Sequence, residues 1–350
     1  MLRIAPLKKV TMVWHGQPLL LAARVFGTPL HWQPTARAAS ATPFLRGLLW
    51  NYFHVALLPA VLIAAWACAG EDAGPPGPAG GEELPAATLM GRLPKGSLDE
   101  SSGLIKSPKH AQVFWTLNDS GNPARLYAIT ASGKLVRAVD IPGVTNVDWE
   151  DLAADERGRL IVADFGDNQK ERKEICLYRL AEPDPHNPRA GVEAVQTFRF
   201  TYPKEVGAQD AEALIVRCGY AYIFTKESHR TRAFRLPLPE VPPKEAAVAE
   251  FVAESGAITL VTGACLSPAG KHLALLTYSR VLVIELPAPL EETKADRGLP
   301  APCVGKARTR AAFLGQAEGI AWDGDDLLIS CEKAPVLFKG RELWRIEKAK

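Results

Sequence analysis

No G-x-S-x-G elbow, P-loop, H-E-x-x-H pair or G-x-G-x-x-G turn occurs in the sequence. The local signatures of serine hydrolases, P-loop nucleotide binders, zinc peptidases and dinucleotide-binding folds are therefore missing. Cysteine is sparse. Its six copies include no C-x-x-C pair, which argues against a zinc or thioredoxin-type site. Cys176, Cys265 and Cys331 fall in strand-like runs and read as buried thiols. The histidines beyond the N-terminal region (His110, His186, His229 and His272) are isolated, and only His229 neighbours other candidate residues. Residues 1–67 hold six basic side chains and no acid; without them, 35 basic face 39 acidic residues. A mildly acidic body lacks the clustered basic face that nucleic acid requires.

The one membrane-grade stretch is residues 47–70, GLLWNYFHVALLPAVLIAAWACAG. Its strictest apolar part, residues 55–67, has the length of a signal-peptide core rather than of a spanning helix, which needs about 20 residues. Arg46 supplies the positive flank, and Ala65-Trp66-Ala67-Cys68 is similar to a lipobox. Residues 45–68 thus read as an export signal with Cys68 as the lipidation site, or as an uncleaved signal anchor. Either places the body outside the cytoplasm, held at the periplasmic or outer surface of a membrane. Residues 1–44 read as unstructured or as an over-extended start. Residues 69–87 are rich in Pro and Gly and read as a flexible tether.

From residue 88 to 350 the chain carries short β-rich runs bounded by turn residues, with almost no helical periodicity. It repeats. SSGL is followed by QVFWTLND and RLYAIT; WEDL by RLIVADFGDN and ICLYRL; AEAL by YAYIFTKES and TRAFRL. GACL then precedes HLALLTYS and RVLVIEL, and AEGI precedes LLISCEK and ELWRI. The aliphatic anchors Leu104, Leu152, Leu214, Leu266 and Ile320 lie 48, 62, 52 and 54 residues apart. A fourth β-rich run follows in most units. Four antiparallel strands repeated at this period predict an all-β fold, a five-bladed β-propeller. Six blades are the alternative, if residues 183–202 hide a degenerate unit. The last unit lacks a fourth strand, and residues 88–93, TLMGRL, are predicted to supply it and close the ring.

First strands line a propeller's axis, so the repeat predicts Ser102, Glu150, Glu212, Ala264 and Glu318 at one level. Converging carboxylates need a cation, a basic partner or raised pKa values. Glu150, Glu212 and Glu318 are the candidate metal ligands, and hard oxygen donors suit calcium. The alternative is that each glutamate clips the neighbouring blade's backbone. A second layer, at the ends of the second strands, comprises Asn118, Asp119, Asp164, Asp167, Asn168, Lys226, Glu227 and Glu332; Asp148 and Asp151 flank Glu150. Asn118–Asn122 and Asp323–Asp326 read as turns.

The succession SSGL, WTLND, LYAIT, DWEDLA, LIVADFGDN and LYRL resembles that of exported bacterial propellers around the SdiA-regulated family and, more loosely, the esterase-like phytase group. The resemblance covers nearly all of residues 98–345. It implies that S-G-L, D-W-E-D-L-A and E-G-I mark innermost strands and that calcium sits at the mouth. Ala264 interrupts the acidic series. The expected function is binding of a small ligand or protein partner at the channel mouth by a monomer, with calcium. The alternatives are a calcium-assisted hydrolase of phosphate or carboxylic esters and a structural interaction scaffold.

Overall fold

Runs of five to seven strand-forming residues, separated by Gly-, Asp- and Pro-containing turns, pair into five small sheets, antiparallel except where the two-residue strand Ala247–Val248 joins Val195–Thr201 in parallel. The computed structural model describes residues 10–14, 17–21, 83–286, 307–311, 315–333 and 340–349. Two units are distinguished, Met1–Asp72 and Ala73–Lys350. In the first, Val10–Trp14 and Gln17–Leu21 form an antiparallel hairpin. The second is a five-bladed β-propeller, and its described residues contain no helix. Residues 47–70, with Cys68, lie outside the described residues.

Blade 1 runs outward through Ser101–Lys106, Val113–Asn118, Arg125–Thr130 and Leu135–Asp140. Blade 2 uses Trp149–Ala154, Arg159–Asp164, Ile175–Ala181 and Val195–Thr201. Blade 3 uses Ala211–Arg217, Tyr220–Thr225, Thr231–Pro237 and Glu250–Ser255. Blade 4 uses Val261–Leu266, His272–Thr277, Arg280–Glu285 and Ala307–Ala311. Blade 5 uses Ala317–Asp323, Asp326–Cys331, Glu342–Ile346 and, outermost, Ala87–Arg92. The N-terminal strand closes the ring as expected, antiparallel to Glu342–Ile346. Residues 183–202 supply only the fourth strand of blade 2 and the loop before it, so that segment holds no sixth blade among the described residues.

Second strands are buried on both faces because each blade packs against two neighbours. Val113–Asn118 is buried throughout, whereas the outermost Leu135–Asp140 is mostly half-buried or exposed. Five apolar clusters fill the five interfaces, one between each successive pair of blades. Leu84 belongs to the cluster between blades 4 and 5, is fully buried, and donates its N–H to Thr309 O. The tether expected over 69–87 therefore ends before Glu83, because a buried leucine pins the chain there.

The inner strand of every blade carries a register shift near its start. In blades 2, 3 and 5 the residue left out of the pairing is Glu150, Glu212 or Glu318. In blade 4 it is Thr262, not Ala264. The expected alignment of that blade is two residues out, since Ala264 takes the place that Leu214 holds in blade 3.

A carboxylate-lined mouth around one lysine

Each inner strand begins, and each second strand ends, at the same end of the propeller. In four blades the two points are tied by a backbone hydrogen bond: Asp119 N to Glu100 O, Gly166 N to Asp148 O, Lys226 N to Asp210 O and Glu332 N to Gln316 O, at 2.9–3.1 Å. These ties place the side chains of several blades at one level. The level below holds the bulged residues of blades 2 to 5 and, in blade 1, Ser102, whose neighbour Gly103 is the residue left out of the pairing. Ser102 donates its hydroxyl to Glu150 O, and Thr262 Oγ1 donates to Ala317 O at 2.7 Å. Hydroxyls, not glutamates, make these inter-blade clips. Glu150, Glu212 and Glu318 are buried instead among charged neighbours.

Among the described residues, the one close group of potential metal ligands is Asp119, Asp148 and Glu150, whose ligand oxygens lie within 4.8 Å of one another. Glu212 and Glu318 are not part of it. Glu212 Oε1 receives the Lys226 ammonium, and Glu318 receives the Tyr278 hydroxyl. The expected triad is thus divided: Glu150 stands with Asp119 and Asp148, and the other two flank Lys226. The Lys226 Nζ lies 5.9 Å from the centre of the Tyr278 ring.

The remaining expected site residues are held in the framework. Asp151 is 1% exposed; its Oδ1 accepts from Leu152 N and its Oδ2 from Leu214 N, both at 2.7 Å. It joins blades 2 and 3 below the mouth and offers nothing to a ligand, a correction to its expected place. Asp164 accepts from Asp148 N, Arg172 Nη2 and the Tyr178 hydroxyl. Asp167 caps its own loop through Glu171 N and Arg172 N, both at 2.9 Å. Asn168 is exposed. Asn118 Nδ2 donates to Ser97 O. Glu227 is buried among Lys170, His229, Arg230 and Arg232. Glu332 stays at the mouth, where burial, then the Glu318 carboxylate, pushes its pKa far up.

Crowding sets the protonation of the group. Burial, then the Asp119 carboxylate, raises Glu150 far above the ordinary range. Burial, then Asp119 and Asp210, pushes Asp148 up to about 7. Burial pushes Glu318 up to about 7 as well, with Lys226 acting against it. Burial raises Asp119 as well, with the hydrogen bond from Ser120 N and the Lys226 charge acting against it. Burial alone would depress Lys226, but Glu150, Glu318, Asp210 and Asp119 together hold it above an ordinary lysine. The metal-free fold therefore binds protons that an unfolded chain releases near pH 4. Stability should fall as pH rises from about 4.5 to about 7, against the usual trend for carboxylates. Melting curves in chelator test this: a midpoint falling by several degrees across that window is expected, and a rising one would contradict it.

Three residues were not anticipated. Asp210 precedes the inner strand of blade 3 as Asp148 precedes that of blade 2. Tyr278 follows HLALLT as Lys226 follows YAYIFT. Gly166 is the ring position of blade 2, and a Cβ there would meet Glu150 Oε1 at 2.3 Å and Asp148 Oδ2 at 2.6 Å. Position in the repeat was the available signal for all three. A cavity of about 250 Å³ also opens between blades 2 and 3, lined by Asp167, Arg172, Lys173 and Tyr202 among others.

No family model and no curated protein matches the chain. Among solved structures it is similar to the PQQ-bound aldose sugar dehydrogenase of Streptomyces coelicolor, at 10% identity and a TM-score of 0.43. That match covers 78% of this chain and 99% of the other. It is likewise similar to the glutaminyl cyclase of Myxococcus xanthus, at 14% identity and a TM-score of 0.43, covering 76% and 98%. These likenesses concern the propeller fold and carry no activity with them.

Proposed function

We propose that the chain is a binding propeller. Its mouth takes a divalent cation of the calcium class on Asp119, Asp148 and Glu150, and through that cation a ligand bearing a carboxylate or phosphate group. The observation that carries this reading is the convergence of three carboxylates from two blades within 4.8 Å, beside a cationic Lys226. Hard oxygen donors at irregular spacing favour calcium over magnesium, which demands a tighter octahedron. A bound ion would counter the crowded charge of Asp119, Asp148 and Glu150 and leave coordination positions for the ligand's oxygens, with Lys226 as their second partner. We also propose that residues 45–68 direct export and that Cys68 is lipidated or the apolar stretch retained as an anchor. Fractionation of wild-type and Cys68→Ser chains tests that part: an unchanged membrane share for both would favour the anchor.

Calcium titration by calorimetry and thermal shift tests the cation. One ion per chain and a raised melting point are expected, with a smaller response to magnesium. No stabilisation at millimolar calcium would overturn the reading. Inorganic phosphate should then bind only when calcium is present. Chelator-sensitive turnover of generic phosphate or acyl esters would instead make the protein a metal-assisted hydrolase.

A further inference from the structure

The glutamate side of the mouth has more acceptors than donors. Glu212 is 2% exposed and Glu318 7%, and each keeps one carboxylate oxygen, Oε2, buried with no hydrogen-bond partner. An orphaned buried carboxylate oxygen is costly and calls for an occupant. Lys226 is paired with Glu212, and the Tyr278 hydroxyl faces Glu318. The backbone N–H of Lys226, bonded to Asp210 O at 2.9 Å, fixes where its side chain starts. An ammonium has three N–H donors, whereas a calcium ion gathers six to eight oxygens. Two unmatched oxygens beside one ammonium are what remains when a group of low capacity stands where a larger coordination shell would fit.

We propose that Lys226 is a tethered cation occupying an axial cation site formed by Glu212 and Glu318. The native mouth then takes one exchangeable divalent ion, on the Asp119–Asp148–Glu150 side, and carries its second cation in its own chain. This deepens the preceding reading and rests on it only for the first ion. The arrangement confines the metal requirement to blades 1 and 2. It also keeps the carboxylates of blades 3 and 5 countered when no metal is present.

The test is Lys226→Met, which keeps the length of the side chain and removes its charge. In calcium calorimetry the wild-type chain should take up one ion and the variant two. Adding Asp148→Asn removes the first site, so the double variant should keep one ion. If the wild type binds no calcium while Lys226→Met binds one, the reading of the first site fails and the tethered cation stands. Without metal the variant should melt earlier than wild type, because two buried carboxylates lose their counter-ion, and calcium should restore it. A folded variant with the wild-type stoichiometry overturns the proposal. So does a variant that calcium fails to rescue.

Discussion

Asp151→Ala is expected to lower the stability of the propeller by about 2–4 kcal/mol, seen as a melting point roughly 5–10 °C lower. The carboxylate accepts the backbone N–H groups of Leu152 and Leu214. Alanine would leave both donors buried without an acceptor, at about 1–3 kcal/mol each. Relief from burying an acid offsets part of the loss, since burial raises the pKa of Asp151 far above normal. Asp151→Asn keeps one acceptor oxygen and should cost less. It should also leave calcium uptake unchanged, which separates a residue that fastens blades from one that binds ions. Wild-type stability in the alanine variant would show that water replaces the carboxylate.

Gly166→Ala is expected to weaken calcium binding by about 10–100-fold, the scale of changes that displace ligands without removing them. The new Cβ would fall 2.3 Å from Glu150 Oε1 and 2.6 Å from Asp148 Cγ and Oδ2, distances no real contact permits. The atoms in its way are the ends of two side chains rather than backbone. They would swing aside, so the fold survives and the ligand geometry does not. Gly166 lacks the positive φ that would add backbone strain. The variant should therefore melt normally in chelator and lose most of the calcium-induced shift. Equal affinity in wild type and variant would move the ion away from Glu150 and Asp148.

The blade count and the closing strand could be read from the sequence because both depend on strand-forming runs, which recur with little regard to local chemistry. The mouth was read in part. Glu150, Glu212 and Glu318 were found by their place beside an aliphatic anchor, and that rule failed in blade 4. There Leu266 looks like the anchor, yet Ala264 holds the position. Gly263 lets the blade approach so closely that an added Cβ would lie 2.6 Å from Glu318 O. Asp151 was misplaced for a different reason. Its carboxylate is taken up by the backbone N–H groups of Leu152 and Leu214, contacts that only the packing of blade 2 on blade 3 brings about. Lys226 was recognised as a possible ligand partner, but its contact with Glu212 joins the start of one strand to the end of the next. Only the register of the pairing sets that distance.

Pairing Ala87–Arg92 with Glu342–Ile346 joins residues 250 positions apart, as the Arg92–Glu342 ion pair records. The propeller strand that is synthesised first is thus needed last. Blades 1 to 4 can assemble from local hairpins while synthesis continues. Blade 5 has to wait for the final strand, and until then both of its partners present bare edges open to other chains. Resistance to proteases should accordingly arrive in one late step, timed by the emergence of Glu342–Ile346 rather than by the folding of the first blade.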